Sequence, residues 1–506
     1  MIFRMKLDKR VSRRGALSTA AKVAIGAGVA VAAAGGVAAY FATRPPQVIE
    51  KVVTSVVERP VERTVVTTVA GVPTTVLTTV KETETVVLSP TTPTVKKPFE
   101  VWWSMPIFDK EKELITKLSD EFAKKHGVEV KLTFFPHHEL DVKMLPSLEA
   151  GTLPDVIWQV HQNYMTPLFE RGALMDVSDI INDLGRDRIV KGVLDVVTMK
   201  GITYCIPHYM YAMSYLHYRK DLFAEVGYTK PPETIEEFED ALVKIQKRLP
   251  EKTWAFGLSV GEAAQYDAHL AIEQIIWVFG GKAIDENQKV VLNSPETIKA
   301  VEWIAKMWKL GTIPPASASW TAWDNNDYYQ TEKIATVMNP TGSIMAWCRA
   351  NKPELYKKSG TMRWPKGPAG KSYLSVGQYG FYINKATRYP DLAKEFVKSF
   401  YEKEFYFELA KTTAPYFFPI FSDMLEDPFY KGEEQLWEMA SQFLDPTIEK
   451  RTTGYAGGYT AAWGETLTMN ILPHMILRVV IGDWTAEDAV KEAHSRMDSI
   501  YKRYYP

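Results

Sequence analysis

The chain has 506 residues, too many for one hydrophobic core, so its length predicts two or more compact units together with terminal segments. Its 60 basic and 61 acidic side chains nearly cancel, which argues against a nucleic-acid-binding protein with a strongly basic surface. Aromatic residues make up 12% of the chain and include 14 tryptophans, more than a core alone requires, so some are available for a binding surface.

The two cysteines, Cys205 and Cys348, are far apart in sequence and lack the CxxC spacing of metal and redox sites. Neither follows the N-terminal leader at a position suited to lipid attachment. We expect two buried thiols. One disulfide between them and one reactive thiol are the alternatives.

Residues 1–43 have the pattern of an export signal. Basic residues precede an apolar stretch from Val23 to Thr43 that is long enough to span a bilayer. The run from Ser12 to Leu17 (SRRGAL) resembles a twin-arginine signal, with Ala16 where phenylalanine is usual. We expect the span to remain as an anchor, and cleavage near Ala42 is the alternative. The basic residues place the N-terminus inside and the body of the protein outside.

Residues 44–97 form a low-complexity segment rich in Thr, Val, Pro and Glu and without aromatic residues. This composition, with prolines that interrupt sheets, predicts an extended stalk that is similar to the Thr-rich stalks of archaeal surface proteins and suited to O-glycosylation. A small β-rich module is the alternative, because Val and Thr alternate, as from Thr64 to Val69. N-glycosylation is not expected, because the one Asn-x-Thr, at Asn339, contains Pro340.

The folded body begins at Phe99 with a β-α-β pattern. Phe99 to Trp103 indicates a strand, Lys110 to His126 an amphipathic helix that ends at Gly127, and Val128 to Phe134 a second strand. This order predicts two parallel strands joined by a right-handed crossover.

The stretch from Gly201 to Phe238 contains a strand that stops at Pro207, a connector at residues 208–211, an aromatic strand from Met213 to Tyr218, and a short helix closed by Gly227. Other predicted helices are Met144 to Ala150, Glu236 to Leu249, Ala268 to Phe279, Ser294 to Leu310, Pro390 to Val397 and one capped by Thr485; other strands are Val156 to Trp158, Lys333 to Met338 and, with a glycine break, Ser372 to Asn384. The helical tryptophans Trp277, Trp303 and Trp308 are assigned to the core.

Several short motifs follow one another along this body. They are Gly151-Thr-x-Pro-Asp-Val, Phe169 to Ser178 (FERGALMDVS), Gly201-x-x-Tyr-x-x-Pro, Tyr218 to Phe223 (YRKDLF), Pro232-Glu-Thr, the Lys333 strand, the Pro390 helix and the cap at Gly482-Asp-Trp. Together they lie within residues 99–504 and resemble the family 1 extracellular solute-binding proteins, the sugar-capturing partners of ABC importers. The chain departs from the family at Glu332, where glycine is usual.

The resemblance implies an α/β fold of the two-lobed, periplasmic-binding-protein-like type II class, with a hinge between the lobes. Residues 98–207 and 377–425 would form lobe 1, and residues 208–376 with most of the C-terminal helices, residues 426–506, would form lobe 2. The membrane span, residues 1–43, and the stalk, residues 44–97, would precede the lobes.

The candidate site is a binding site. In open α/β sheets ligands bind beyond the carboxyl ends of strands, a rule that selects Trp103, Ser104, Trp158, His161, Tyr209, Gln378 and Tyr379. The resemblance adds aromatic residues of the second lobe and the C-terminal segment, namely Trp320 or Trp323, Trp347, Tyr416 and Trp463. Aromatic rings pack on the CH faces of sugars, and planar polar groups bind sugar hydroxyls. Packing within a lobe is the alternative for each aromatic; of Trp102 and Trp103, on opposite strand faces, we expect Trp103 to face the site.

Enzyme signatures are missing from the sequence, which has no Gly-x-Ser-x-Gly elbow, phosphate-binding loop, His-Glu-x-x-His helix or dinucleotide fingerprint. His137 and His138 are the nearest approach to a metal cluster, but neighbouring side chains of an extended chain point in opposite directions, so no metal is expected. Neither a catalytic residue nor a cofactor is expected. A ligand held between two lobes would stabilise the closed form through its higher affinity for that form.

The sequence therefore predicts a monomeric, surface-anchored protein that captures a sugar or oligosaccharide outside the cell and delivers it to ABC permease subunits. A binding protein for another solute, such as a peptide, a polyamine or a sugar alcohol, is one alternative. An exported enzyme acting on polysaccharides is a second. A structural surface-layer protein is a third, and it would leave the hinge-like stretch unexplained.

Overall fold

The computed structural model describes residues 57–69, 72–84, 97–160 and 162–506. Two units are distinguished, residues 1–96 and residues 97–506. The predicted export signal and membrane span, residues 1–43, lie outside the described residues. Within the part of the chain that is described, no helix combines the length and the apolar character needed to cross a membrane.

Part of the low-complexity segment forms a β-hairpin. β1 (Val57–Val69) and β2 (Val72–Glu84) pair antiparallel along their whole length. Pro60 and Pro73 lie within these strands, opposite Lys81 and Thr68. Every strand of a two-stranded ribbon is an edge strand, where a residue without an N–H donor is tolerated. The expectation that prolines keep this segment free of a sheet is therefore wrong for residues 57–69 and 72–84, which follow the alternative based on the Val and Thr alternation.

The second unit contains two sheets and the helices around them. Its strands are β3 (Phe99–Ser104), β4 (Val130–Phe135), β5 (Val156–Gln159), β6 (Thr198–Met199), β7 (Ile202–Thr203), β8 (Ile206–Ala212), β9 (Tyr215–Arg219), β10 (Trp254–Gly257), β11 (Ile334–Asn339), β12 (Ser359–Met362), β13 (Ser372–Ile383), β14 (Phe418–Pro419) and β15 (Ile448–Arg451). β6 and β7 form a separate two-stranded hairpin.

The helices of this unit are α1 (Asp109–His126), α2 (His137–Glu149), α3 (Thr166–Glu170), α4 (Ser178–Asp183), α5 (Val193–Val197), α6 (Lys220–Glu225), α7 (Ile235–Gln246), α8 (Tyr266–Phe279), α9 (Pro295–Lys309), α10 (Asp324–Gln330), α11 (Ser343–Asn351), α12 (Pro353–Lys358), α13 (Pro390–Ser399), α14 (Lys403–Thr413), α15 (Ser422–Leu425), α16 (Pro428–Lys431), α17 (Glu434–Leu444), α18 (Ala461–Thr468), α19 (Ile471–Val480) and α20 (Ala486–Tyr504). Short 3-10 helices lie at Gln162–Tyr164, Arg186–Arg188, Glu262–Ala264 and Pro315–Ser319.

The larger sheet has the strand order β14-β8-β13-β5-β3-β4, and β15 pairs with the start of β13. β3 is parallel to β4 and to β5, which confirms the parallel β-α-β unit predicted from Phe99 onward. The connecting helix α1 ends at Gly127, whose φ of 61° is the left-handed conformation of a glycine C-cap. β13 runs antiparallel to its neighbours β8 and β5.

The smaller sheet has the order β10-β11-β9-β12. β9 is antiparallel to β11 and β12, and β10 is parallel to β11. Glu332, which precedes β11 where the resembled family has glycine, adopts a φ of 61°. It therefore takes the left-handed conformation that glycine adopts without steric cost.

The chain passes from the larger sheet to the smaller sheet at Met213 and Ser214. β8 belongs to the larger sheet as far as Ala212, so residues 208–211, which we expected to be a connector, are buried strand. Pro207 is tolerated inside β8 because it lies opposite Gly380, where the register between β8 and β13 shifts at an irregularity. The chain thus leaves the larger sheet at residue 213 and not at residue 208.

The return to the larger sheet also differs from the prediction. β12 of the smaller sheet ends at Met362 and β13 of the larger sheet begins at Ser372, so the chain changes sheet between these residues and not at residue 377. β13 is one strand without the expected glycine break. It continues because Gly377 lies opposite Tyr211 in the ladder, where the missing side chain leaves room for the tyrosine ring.

Helix α2 begins at His137, seven residues earlier than the predicted start at Met144. Leu140 and Met144 are both buried and lie one helical turn apart. The buried apolar face of the helix therefore begins at Leu140, within the otherwise polar first turn. His137 and His138 are therefore helical and not extended, which corrects the argument made against a metal site there. The described residues contain no group of His, Cys, Asp and Glu side chains that could hold a metal ion.

Both cysteines are buried free thiols, as expected. Burial raises the pKa of the Cys205 thiol far above its ordinary value and that of Cys348 to about 12. Among the helical tryptophans, Trp277 and Trp303 are buried and Trp308 packs against the core while half-buried, as predicted.

Candidate ligand-binding site

The predicted tryptophans of the larger sheet form a buried aromatic layer. Trp103 and Trp158 are 0% and 2% exposed, and their rings stack with centroids 5.0 Å apart. Trp103 also packs against Phe381 and Phe400, because helices and side chains cover both faces of this central strand. Trp158 Nε1 donates a hydrogen bond to His208 Nδ1 at 3.1 Å. Neither tryptophan is accessible to a ligand, contrary to the expectation that Trp103 faces the site.

Tyr209 and Ser104 are also buried and engaged with the protein. The Tyr209 hydroxyl donates to Glu111 Oε1 at 3.1 Å, and Glu111 Oε2 accepts the Ile107 N–H at 3.1 Å. Burial raises the pKa of Glu111 to about 7. Ser104 Oγ is hydrogen-bonded to His137 Nδ1. These side chains support the first turn of α1 instead of presenting polar groups to a ligand.

The predicted tryptophans beyond the hinge do not come together. Trp320 is buried and packs on Tyr328 with ring centroids 4.6 Å apart. Trp463 is also buried, and its Nε1 donates to Thr453 Oγ1 at 2.9 Å. Trp323 and Trp347 are exposed. His161 lies outside the described residues.

Three predicted residues, Gln378, Tyr379 and Tyr416, do lie in one region, beside the first passage between the sheets. The ring of Tyr379 lies 4.8 Å from that of Tyr211, and the two hydroxyls are hydrogen-bonded. The Tyr416 ring packs on Phe417 at 4.5 Å, and Phe417 lies 4.9 Å from Tyr379. Together with Tyr266, whose hydroxyl pairs with that of Tyr459, these residues define what we call the tyrosine cluster: Tyr211, Tyr266, Tyr379, Tyr416 and Tyr459.

Gly377 allows the tyrosine cluster to form. A Cβ atom added at Gly377 would lie 2.5 Å from the Tyr211 ring, closer than van der Waals contact allows. The glycine therefore lets the ring lie across β13. The adjacent Gln378 is 2% exposed, and its Nε2 donates to the Tyr382 hydroxyl at 3.4 Å.

An inner cavity of about 20 Å³, enough space for one water molecule, lies beside the tyrosine cluster and has Tyr211, Tyr266 and Tyr459 in its walls. Its walls come from residues after β5, from α5, from β8 and the residue after it, from β13, from the start of α8 and from the loop after β15. They are Val160, Gln162, Val196, Tyr211, Met213, Tyr266, Gly377, Gln378, Thr452 and Tyr459. None of these described lining residues is charged, and tyrosine and glutamine supply most of the polar atoms.

An outer cavity of about 320 Å³ adjoins the inner cavity, and Val196 and Tyr459 contribute to the walls of both. One side is formed by the β6 and β7 hairpin and the other by the loops around residues 286–288 and 457–460. The residues are Val196, Thr198, Met199, Lys200, Tyr204, Glu286, Gln288, Gly457, Gly458, Tyr459, Thr460 and Tyr505. This volume falls at the lower end of the range for small-molecule sites, about 300–1,000 Å³.

Helix α8 places two buried carboxyl groups near these cavities. Asp267 follows Tyr266 and accepts a hydrogen bond from Asn325 Nδ2 at 3.2 Å. Glu273 accepts hydrogen bonds from Thr453 Oγ1 at 2.5 Å and from the Gly454 N–H at 2.8 Å. Burial raises the pKa of Asp267 to about 7 and that of Glu273 to about 8. Glu273 thereby holds the loop that follows β15 and that walls both cavities.

A larger hollow of about 680 Å³ runs along α1. The described residues that line it belong to one exposed helix face and are mostly Lys, Asp and Glu. A single helix face cannot enclose a ligand, so the two cavities beside the tyrosine cluster are the better candidate site.

The sequence arguments did not select Tyr211, Tyr266, Tyr459, Gln162 or Gln288. Tyr211 shares a strand face with Tyr209, a signal that the connector assignment concealed. Tyr459 ends the aromatic and glycine-rich run from Gly454 (GYAGGY), which was a second available signal. The other three carry no local pattern, because their side chains meet only in the folded chain.

The sequence and the fold are similar to those of known solute-binding proteins. The family described as bacterial extracellular solute-binding protein matches residues 117–438, more than half of the chain. The chain belongs to this family. This match confirms the resemblance drawn from the sequence motifs, and the family is described as one of solute-binding proteins.

Two curated relatives are similar over part of their length. A probable ABC transporter-binding protein of Deinococcus radiodurans is 25% identical over 295 residues, which cover 56% of this chain and 67% of the relative. An uncharacterized ABC transporter extracellular-binding protein of Pyrococcus horikoshii is 26% identical over 202 residues, which cover 40% of this chain and 46% of the relative.

Solved structures match the solute-binding protein over most of its length. Maltose-bound MalE3 of Thermotoga maritima has a TM-score of 0.62 at 22% identity, covering 79% of this chain and 99% of that chain. The sugar-binding protein MalE of Xanthomonas citri has a TM-score of 0.67 at 18% identity, covering 80% and 98%. These similarities confirm the two-lobed α/β fold.

Proposed function

We propose that this solute-binding protein captures a neutral carbohydrate between its two lobes and delivers it to an ABC permease. The observation that carries this proposal is the pair of adjoining cavities beside the tyrosine cluster, where the chain passes between the two sheets. Tyrosine offers a ring for the CH faces of a sugar and a hydroxyl for its polar edge. The side chains of Gln162 and Gln378 add planar amides in the inner cavity.

The lining favours a neutral ligand over the alternatives. A peptide or a polyamine carries charges that need opposite charges in a buried site, because an unpaired buried charge is costly. The described lining of the inner cavity has no charged side chain. Similar solved structures contain neutral sugars: maltose in the Thermotoga maritima protein, laminaribiose in a protein of Arthrobacter chlorophenolicus and maltotetraose in a cyclo/maltodextrin-binding protein.

In this proposal, Gln378, Tyr379 and Tyr416 remain ligand-binding residues, and Tyr211 and Tyr266 join them. A ligand that touches groups from both lobes has a higher affinity for the closed form and shifts the population toward it. Closure around the passage at Met213 would create the surface that the permease recognises. The export signal, the anchor and the stalk would hold the protein at the outer side of the membrane, near that permease.

The test is calorimetric titration of the full-length chain, purified in detergent, with maltose, laminaribiose and tagatose; spermidine and a tripeptide are the comparison ligands. We expect one sugar to bind and to be recovered unchanged. At about 100 times its Kd, it should raise the free energy of unfolding by about 2.7 kcal/mol. Tyr459→Ala, which removes a ring that lines both cavities, should weaken its binding about tenfold. The exposed Trp323→Ala is the matched aromatic control and should not.

Binding of spermidine or the tripeptide without binding of any sugar would overturn the carbohydrate assignment and leave the family membership intact. Recovery of a cleaved sugar would show that the protein is an enzyme. Equal effects of the two substitutions would show that the tyrosine cluster is not the site.

A further inference from the structure

The ribbon formed by β1 and β2 is a two-stranded sheet that pairs with no other described strand. Each of its strands has 13 residues, about twice the usual length of a strand. A single two-stranded ribbon is marginally stable in water, and it becomes stable when further strands or a second apolar layer are added. The length and isolation of this ribbon indicate that another surface supports it.

The register divides the ribbon into two unlike faces. Successive residues of a strand alternate between faces, and directly opposite residues share one face. We call the first of these the valine face, because three of its pairs consist of two valines each. Its pairs are Val57 with Glu84, Arg59 with Glu82, Val61 with Val80, Arg63 with Thr78, Val65 with Val76, Thr67 with Thr74 and Val69 with Val72. The second face has two aliphatic residues, Val66 and Leu77, among Thr, Glu, Pro and Lys.

The prolines make the edges of the ribbon a poor place for a further strand. Pro60 and Pro73 belong to pairs of the second face. Antiparallel pairs alternate between hydrogen-bonded pairs and open pairs, and proline has no N–H to donate, so the second face consists of the open pairs. The backbone groups of open pairs point to the outer edges. Each proline therefore removes a donor from one outer edge, which leaves the valine face as the better surface for contact.

The valine face is complementary to a second copy of itself. When two such faces pack around a twofold axis that runs along the ribbon, β1 of one copy lies over β2 of the other at the same height. Valine then meets valine at three levels, and Arg59 of each copy meets Glu82 of the other. The contact thus joins apolar to apolar residues and positive to negative charge.

Reversed packing, with the two ribbons pointing in opposite directions, loses part of this match. When the three valine levels are aligned in that way, Arg59 and Glu82 extend beyond the end of the other ribbon. Two copies held in one membrane by the proposed anchor point in the same direction. Charge complementarity and the proposed anchor therefore favour the same arrangement.

The size of the valine face sets the strength of the contact. Strands of 13 residues are about 44 Å long, and a ribbon of two strands is about 10 Å wide, so a dimer would bury about 900 Å² in total. This area is at the low end for specific interfaces, so we expect a Kd in the micromolar range. Anchoring in one membrane would strengthen the contact by raising the effective concentration.

We propose that the valine face is a dimerisation surface, through which two copies of the chain pack their β1 and β2 ribbons face to face as a four-stranded sandwich. Each assembly then carries two ligand-binding units. This arrangement goes beyond the proposed capture function, does not depend on the ligand and differs from the monomer expected from the sequence.

The test is sedimentation velocity of the full-length chain in detergent over a series of concentrations. We expect the wild type to show a monomer–dimer equilibrium. Val65→Glu places a charge within the valine face and should raise the dimer Kd at least about tenfold. Thr64→Glu, one residue away on the second face, is the matched control and should change the Kd less than about twofold. All variants keep the same N-terminal segment, so a difference between them is due to the ribbon.

An exchange of charge between copies tests the pairing itself. Arg59→Glu and Glu82→Arg should each weaken the dimer, because like charges then meet. An equimolar mixture of the two variants should form dimers again, since each copy supplies the charge that the other lacks. Arg59 also lies opposite Glu82 within one ribbon, and this internal pair stays like-charged in both variants. Recovery in the mixture therefore reports contact between copies, even if Val65→Glu unfolds the ribbon.

Val69→Cys tests the direction of packing. Cys205 and Cys348 are buried, so the introduced thiol is the one that a reagent reaches in the native protein. A bismaleimide that spans about 10 Å, the spacing of packed sheets, should link two copies. In reversed ribbons the two thiols would lie more than about 20 Å apart and would not be linked.

A wild-type chain that stays monomeric at every concentration would overturn the proposal. So would a dimer that Val65→Glu and Thr64→Glu affect equally, or one that the mixture of charge variants does not restore. A dimer that withstands Val65→Glu but is lost in Thr79→Pro, which removes one more donor from an outer edge, would show that the strands pair edge to edge instead.

Discussion

Protonation of Glu273 is expected to control both stability and the shape of the binding site. This side chain is 1% exposed and bonds to Thr453 and Gly454 in the loop that walls the cavities. Burial raises its pKa from the ordinary value of 4.5 to about 8. Between these values the native state binds a proton that the unfolded state has released. The free energy of unfolding therefore falls as the pH rises through this range.

Glu273→Gln removes the titration and keeps an oxygen that can accept the Gly454 N–H. One pKa unit corresponds to about 1.4 kcal/mol, so Glu273 should lower the stability of the wild type by about 3 to 4 kcal/mol between about pH 5 and about pH 8. The variant should lack this decrease. Glu111 and Asp267, whose pKa values are raised by burial as well, titrate in both proteins and cancel in the comparison.

The assay is urea denaturation of the wild type, Glu273→Gln and the exposed control Glu121→Gln at both pH values. We expect the stability of Glu273→Gln relative to the wild type to increase by about 3 to 4 kcal/mol from the lower to the higher pH. The free energy of unfolding of Glu121→Gln should change with pH as that of the wild type does. A difference between Glu273→Gln and the wild type that does not change with pH would refute the reasoning, because it would show that Glu273 is already ionised in the native protein at the lower pH.

Two other predictions concern packing. Gly377→Ala would place a Cβ atom 2.5 Å from the Tyr211 ring. We therefore expect the free energy of unfolding to fall by about 1–3 kcal/mol and ligand binding to weaken. Calorimetry that detects neither change would contradict the position of the Tyr211 ring. Because Cys205 and Cys348 are buried and free, a colorimetric thiol reagent should modify neither in the native protein and both in urea, and rapid modification of the native protein would disprove their burial.

Elements with signals that lie within a few residues were predicted well. The unit from Phe99 to Phe135 follows from alternation, helical periodicity and the C-cap at Gly127. Ser294 and Thr485 cap their helices as expected, accepting the N–H groups of Thr297 and Asp488. Such signals can be read locally, because caps and periodicity act over one or two turns.

Signals that depend on a partner strand were misread. Pro207 indicated a strand end, yet β8 continues through it because the irregularity opposite Gly380 removes the need for an N–H donor. A glycine break was predicted between Ser372 and Asn384, yet β13 continues because Gly377 accommodates the Tyr211 ring. Each of these residues fits a central strand only because of the residue opposite it on the neighbouring strand.

The sequence by itself determined the fold class and the family, because ordered local motifs specify a chain path. The tertiary structure decided where the chain changes sheet, at residue 213 and not at residue 208. Only the tertiary structure decided which aromatic residues surround a cavity. Trp103, Trp158 and Trp463 carry the same chemistry as the tyrosine cluster but are buried by packing from distant elements. Tyr211 and Tyr459 lie far apart in sequence and line one cavity because the two sheets meet there. Side-chain exposure is a property of that packing, so no local pattern could reveal it.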